Sequence, residues 1–169
     1  MDFELSGSPT YTRIAVIGDF ADVNDMHDRC SPDSRAARYL AGVPKLTGTM
    51  WSHLVDRRWG TTWVSRQHGR VLAVAHLMQS LGPGGEHDPT VLELAVLVRD
   101  DVQGQGLGTA LARFAYAEAR SRRGRAIVAS MASTNSRAAS ILRGLGADSW
   151  KAAGLVTHVE ISLAPGDGK

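Results

Sequence analysis

The stretch Val91–Leu111, VLELAVLVRDDVQGQGLGTAL, constrains the fold of this chain more than any other. Its first part, Val91–Val98, is an apolar run with one carboxylate, Glu93, and reads as a central strand. An Arg-Asp-Asp turn then leads into Gln103–Thr109, QGQGLGT, where glycine recurs at positions 104, 106 and 108. Backbone without Cβ atoms can bring several N–H groups up to one anion. Leu107, Ala110, Leu111, Phe114, Ala115 and Ala119 recur on one helical face, so a helix is expected over 106–122. The start of that helix adds about half a positive charge to the loop. Strand, cradle and helix N-terminus in succession suit a phosphorylated ligand. A tight strand-to-helix turn that binds nothing is the other reading of the same glycines.

Two nucleotide loops are excluded by spacing. No GxxxxGK[ST] occurs, so a triphosphatase P-loop is absent. A dinucleotide fingerprint needs a third glycine where Thr109 stands, and an acidic residue about twenty positions on. The next strand, Arg125–Met131, RAIVASM, carries none.

Around this centre the chain alternates strand and helix signals. Tyr11–Ile17 reads as a strand after a loose start over 1–9. Asp22–Arg29 suits a short helix, and Ser31-Pro32 caps a second over Ser34–Leu40. Thr49–Trp59 has a helical stripe of Met50, Leu54 and Val55, stopped by Gly60. Thr61–Gln67 and Val71–Leu77 form a hairpin about His68-Gly69-Arg70. Leu81–Pro89, LGPGGEHDP, is an unstructured substrate-loop candidate. Ser136–Leu145 is helical, with Gly146 as its C′ residue, and strands near Trp150–Ala152 and Leu155–Leu163 follow. Consecutive hairpins imply antiparallel pairing, whereas the strand–helix–strand unit over 91–131 implies one parallel neighbour. The expected fold is a mixed α/β (α+β) domain with helices on both faces of the sheet.

With 169 residues the chain fits one domain, taken as 1–169 with an ordered core of about 10–163. Nineteen basic residues against seventeen acidic ones give a net charge of +2, too small to argue for nucleic acid or a membrane surface. No membrane-spanning or export segment is visible. The lone Cys30 excludes an intramolecular disulfide and a CxxC zinc site, which points to a reducing, cytoplasmic context. The histidines have no metal-ligand spacing, so no metal is expected. Cys30 is expected buried and inert, His76 packed, and Trp51, Trp59 and Trp63 in the core or a substrate cleft, with His87 a candidate for touching substrate.

Beyond these readings, Gln103-x-x-Gly106-x-Gly108 resembles the Q/R-x-x-G-x-G/A signature of the GNAT (Gcn5-related N-acetyltransferase) superfamily. Glu93–Leu111 is similar to that superfamily's central strand, loop and helix without a gap. Asn135–Gly146, NSRAASILRGLG, resembles its second element, an asparagine followed by a helix ending in Leu-Gly. MHDRCSPDSRAARYL, residues 26–40, resembles the first helices of the bacterial protein-lysine acetyltransferase branch.

The resemblance implies a six- to seven-stranded, mostly antiparallel sheet with a V-shaped splay between strands 4 and 5. It also implies a β-bulge in the central strand, and acetyl-CoA as co-substrate. Backbone groups of Val96 and Val98 would meet the pantetheine arm and thioester carbonyl. Gln103, Gly104, Gln105, Gly106, Leu107, Gly108 and Thr109 would surround the pyrophosphate. Asn135 would reach the ligand, or would merely cap its helix. Glu93 would be the general base for an amine acceptor, partly desolvated and so raised in pKa. A surface glutamate on an alternating strand is the other reading. Many members carry a tyrosine acid seven residues after the asparagine, and here that position is Leu142. The expected activity is acetyl transfer from acetyl-CoA to a primary amine, of a protein lysine or a small molecule. A non-catalytic acyl-CoA sensor is the alternative. A homodimer through the late strands is a further expectation.

Overall fold

The structure, a computed structural model, describes residues 1–5, 7–40, 45–81 and 87–163. In chain order the elements are β1 (Asp2–Leu5), β2 (Ser8–Ile14), α1 (Phe20–Asp28), α2 (Pro32–Tyr39), α3 (Gly48–Val55), β3 (Gly60–Gln67), β4 (Arg70–Leu81) and β5 (His87–Val98). They continue as α4 (Leu107–Ser121), β6 (Ala126–Ala132), α5 (Ser136–Gly144), β7 (Ser149–Ala153) and β8 (Val156–Ser162). All eight strands form one sheet in the order β1-β2-β3-β4-β5-β6-β8-β7. Every pairing is antiparallel except β5 with β6.

Local signals account for several boundaries. Ser31 accepts the Ser34 N–H at 3.1 Å and Pro32 opens α2, as the sequence implies. The β3–β4 turn places His68 and Gly69 at φ 49° and 76°, the doubly left-handed conformation a two-residue hairpin requires. Gly146, at φ 89°, follows the end of α5. Other boundaries differ. Residues 2–5 form a strand rather than a loose start, pairing with Ser8–Tyr11. The third helix stops at Val55, because the extended Asp56 turns its carboxylate onto the Arg58 guanidinium instead of continuing the stripe. The central strand begins four residues early, at His87, while 82–86 of the expected substrate loop lie outside the described residues.

Two apolar layers sandwich the sheet. Leu72, Leu77, Leu92, Leu94, Leu111 and Ile127 pack under α4 and α5. Val23, Met26, Trp51, Val64, Val74 and Leu97 pack under α1 and α3. Along β5, Leu92 and Leu94 join the first layer, with Val96 and Val98 against it, and Leu97 joins the second. The period-2 pleat therefore sends Glu93 and Ala95 to the α1–α3 face with Leu97.

The sheet opens at its parallel seam. β5 and β6 pair only through Val91–Glu93 and Ala126–Val128, although both strands run on. This is the expected V-shaped splay, between the fifth and sixth strands here because β1 adds one to the count. The expected bulge near Val96 and Val98 is absent: β4 and β5 stay in unbroken register from Ala73↔Val98 to Gln79↔Leu92. The shift lies instead at Gln79/Ser80.

Candidate active site

A groove of about 980 Å³ follows the splay. Leu94–Val98 of β5 and Ala129–Ala132 of β6 form its walls, Gly104, Gly106 and Thr109 one end, and Ala37 and Arg38 of α2 one side. Its backbone chemistry follows from the register. Arg99 donates its N–H to Leu72 O at 2.9 Å, which continues the β4–β5 ladder. Antiparallel bonding alternates, so the odd-numbered residues of β5 address β4. The N–H groups of Val96 and Val98 therefore face the opened seam, where β6 is no longer paired. The donors expected from a bulge come from the splay.

The glycine loop ends on α4. Gly104 and Gly106 have φ 78° and 90°, a conformation that penalises any side chain. Gly106 is the N-cap of α4 and provides no side-chain acceptor, and the helical ladder begins with Ala110 N–H to Gly106 O at 2.9 Å. The first-turn N–H groups thus point out of the helix end into the groove, where the dipole favours an anion. Gly108 lies inside the first turn, and a Cβ there would meet Val98 Cγ2 at 3.5 Å.

Gln103 lines the groove, and its side chain is engaged by the protein itself. Its Nε2 lies 2.9 Å from Val98 O, 3.1 Å from Asp100 Oδ1 and 3.1 Å from Ser34 Oγ, and its Oε1 accepts from Arg137 at 2.5 Å. The side chain braces β5, α2 and α5 around the loop. Asp100, read as a turn former, completes the brace by accepting the Ser31 N–H at 3.0 Å. Burial pushes its pKa up, but hydrogen bonds from Ser34 and Ser31 outweigh this and hold it below the usual carboxylate value. Gln105 Nε2 donates to Asp101 O at 3.3 Å. Neither Asp100 nor Arg137 was legible as a site residue, since each gains its role from contacts across the fold.

Asn135 caps α5, its Oδ1 accepting the Ala138 N–H at 3.0 Å, and it also lines the groove. Leu142 is buried against the same groove. Glu93 is exposed, contrary to the expected desolvation, because its ladder partners Met78 and Val128 are themselves only half-covered. Tyr116 packs on the α4 layer, Trp51 and Trp63 are buried, and Cys30 is buried with its thiol pushed up to about 11. His87 begins β5, and its side chain lies outside the described residues.

A polar layer lies on the Glu93 face of the sheet. His76, paired with Ala95, is 1% exposed, and burial pushes its pKa well below the usual imidazole value. The Thr62 hydroxyl donates to Leu54 O, so it accepts from His76 Nδ1–H, leaving His76 Nε2 a lone pair with no partner among the described residues. Burial likewise lowers His27 to about 4, and its Nε2 lies 3.0 Å from the Tyr39 hydroxyl. Among the described residues, no group of three or more His, Cys, Asp or Glu side chains is placed to hold a metal ion, and no helix is long and apolar enough to cross a membrane.

Residues 22–147 match the family model described as Acetyltransferase (GNAT) family. The chain belongs to that family. Its members are N-acetyltransferases that draw the acetyl group from acetyl-CoA, and the resemblance read from Gln103–Gly108 is thereby confirmed. Among solved structures, the GNAT domain of Streptomyces lividans PAT superposes with a TM-score of 0.85 at 23% identity, with 96% of each chain covered. YncA of Salmonella typhimurium, solved with its cofactor acetyl-CoA, gives a TM-score of 0.71 at 19% identity over 95% of this chain and 97% of that one. A Sinorhizobium meliloti phosphinothricin acetyltransferase in complex with acetyl-CoA gives 0.72 at 15% identity, with 94% of each covered. At these identities the likeness is one of fold, and it establishes the GNAT fold for this chain. No curated protein sequence matches significantly.

Proposed function

We propose that this GNAT-family chain transfers acetyl directly from acetyl-CoA to a primary amine, of a protein lysine or a small molecule, with Glu93 as general base. The observation that carries the reading is the continuity of one groove from the start of α4 to the open seam beside Val96 and Val98. Acetyl-CoA supplies the activated acyl carbon and a thiol leaving group. The N–H groups of 104–109 hold the pyrophosphate, and the seam-facing N–H groups of Val96 and Val98 hold the pantetheine arm and the acyl oxygen. Asn135, with Oδ1 committed to its cap, reaches the ligand through Nδ2. Arg137 adds a cation beside the loop.

Glu93 lies on the α1–α3 face, two residues from the groove-lining Ala95 and so about 7 Å along the strand. Directly or through water it accepts a proton from the acceptor ammonium. The freed amine lone pair attacks the acyl carbon, the charge that develops on the acyl oxygen meets the Val96 N–H, the C–S bond breaks with its electron pair on sulfur, and the second proton left on the new amide nitrogen passes through water to that sulfur. A thiol pKa near 8.5 makes that thiolate a tolerable leaving group, so Leu142 in place of a tyrosine acid is compatible with turnover. The buried, neutral Cys30 thiol suits the cytoplasmic setting read from the sequence.

The test is acetyl-CoA thiol release against lysine peptides, amino acids, polyamines and aminoglycosides. Glu93→Gln is expected to lower kcat about 10²-fold or more with acetyl-CoA binding retained. Normal turnover in Glu93→Gln removes the base assignment. Leu142 favours a second reading, a sensor, which predicts acetyl-CoA binding with no thiol release on any amine.

A further inference from the structure

The α2 side of the groove carries a guanidinium with no anion to balance it among the described residues. Arg38, near the C-terminal end of α2, lines the groove, yet its Nε is sealed from solvent with no hydrogen-bond partner, and it makes no ion pair among the described residues. Its position is built. The guanidinium carbon lies 4.7 Å from the centroid of the Tyr39 ring, and the Tyr39 hydroxyl is 3.0 Å from the buried His27 Nε2. Stacking on a ring fixes the plane of a guanidinium and leaves its N–H edges for a planar acceptor.

The surroundings do not neutralise it. Burial pushes the Arg38 pKa down, and Tyr39 and the Glu93 carboxylate only partly oppose this. His27 and His76, which both feel the Arg38 charge, are held neutral by burial. Glu93 is within electrostatic reach but forms no ion pair with Arg38. A half-buried, unpaired cation with a sealed Nε is expensive, and sites of this kind are kept where a ligand completes them. Cation and carboxylate stand apart beside the groove, so a molecule that carries both charges satisfies both.

We propose that the acceptor is an amine with a carboxylate close to it, the carboxylate received by Arg38 and the amine presented to Glu93. This deepens the acetyltransferase reading and rests on it. The shared chemistry has two sources, a free amino acid or an acidic side chain flanking a protein lysine.

The experiment is thiol release by the full chain with matched acceptors: L-amino acids against their carboxamides, and lysine peptides flanked by Glu against the same peptides flanked by Gln. One charge-assisted contact predicts a preference of about 10- to 100-fold in kcat/KM for the carboxylate member, carried by KM rather than kcat. The amino-acid arm responding alone assigns a small-molecule acceptor, and the peptide arm responding alone assigns a protein one; either supports the proposal. In Arg38→Gln the preference should fall below about threefold, and in Arg38→Lys part of it should return, since the charge remains but the fork is lost. Because the readout is a ratio within each variant, a general loss of activity cannot mimic it. Thiol release with no preference for the carboxylate member, or a preference that survives Arg38→Gln, overturns the proposal alone. No thiol release with any amine overturns the acetyltransferase reading and the proposal together.

Discussion

Asp19→Asn is the perturbation whose size the structure defines best. Asp19 lies just before α1, is 3% exposed, and ties β2 to β3. Its carboxylate accepts from Arg13 at 2.6 and 2.8 Å, from Arg66 at 2.9 Å and from the Val16 N–H at 2.9 Å. The Arg13 hydrogen bonds, opposed by burial and aided by Val16 and Arg66, lower its pKa from 3.8 to about 2. A carboxylate lowered on folding stabilises the folded state above its unfolded pKa, and that stability is lost as pH falls through the folded value. The shift corresponds to about 2 kcal/mol at pH 7, about 1 kcal/mol at pH 3, and little below pH 2. Urea unfolding of the native chain and of Asp19→Asn, compared from pH 7 to pH 2.5, reads the difference directly and cancels the other carboxylates. The variant should be about 2 kcal/mol less stable at pH 7, with the gap closing on acidification. A gap that stays constant between pH 5 and pH 2.5 would refute the assignment of the stability to the charge.

Other expectations concern the groove and its frame. Gly106→Ala places a Cβ at φ 90° with only the Phe3 ring, at 3.6 Å, near it, so the penalty is conformational, about 1–2 kcal/mol. If that falls on the cradle, KM for acetyl-CoA rises about 5- to 30-fold; an unchanged KM would remove the cradle. Gly108→Ala meets its neighbours at ordinary contact distances, 3.5 and 3.7 Å, and should leave thermal stability equal or slightly higher. Asp100→Ala strips the acceptor from Ser31 and Gln103, and should cost about 1–3 kcal/mol by urea unfolding while raising KM for acetyl-CoA. Gly60→Ala drives a Cβ to 2.3 Å from Leu77 O and 2.6 Å from Met78 Cα, and should lower stability by about 1–3 kcal/mol or more, read as a drop in Tm.

What could be read from the sequence was what the chain encodes locally. The Ser31-Pro32 cap, the His68-Gly69 turn and the glycines at 104 and 106 each fix their own backbone, and each lies where expected. β1 was not legible, because DFEL has no pattern of its own and becomes a strand only by pairing with β2. Glu93 shows the same limit. One carboxylate in an apolar strand reads as buried, yet burial depends on which helices cross that face, and the covering reaches Leu97 but not Glu93. Gln103 fits the family signature, but three acceptors and Arg137 drawn from four segments make it a brace.

The short β5–β6 pairing explains why the glycine loop and the open seam share one groove. Beyond Glu93 and Val128, β5 continues against β4 alone and β6 against β8 alone. Each strand is satisfied along one edge, and the two inner edges face each other with N–H and C=O groups that no strand completes. One carbonyl, Val98 O, is taken by Gln103 Nε2, the same side chain that braces the loop. The remaining backbone groups need polar partners, which an apolar ligand could not supply. In the proposed reading, an extended arm with amide groups supplies them as a surrogate strand, and a phosphate at its far end meets the α4 N-terminus. Pantetheine diphosphate has that order of groups. Lengthening the β5–β6 pairing by even two residues would consume the donors at Val96 and close the groove, so in the proposed reading the splay itself is the binding element.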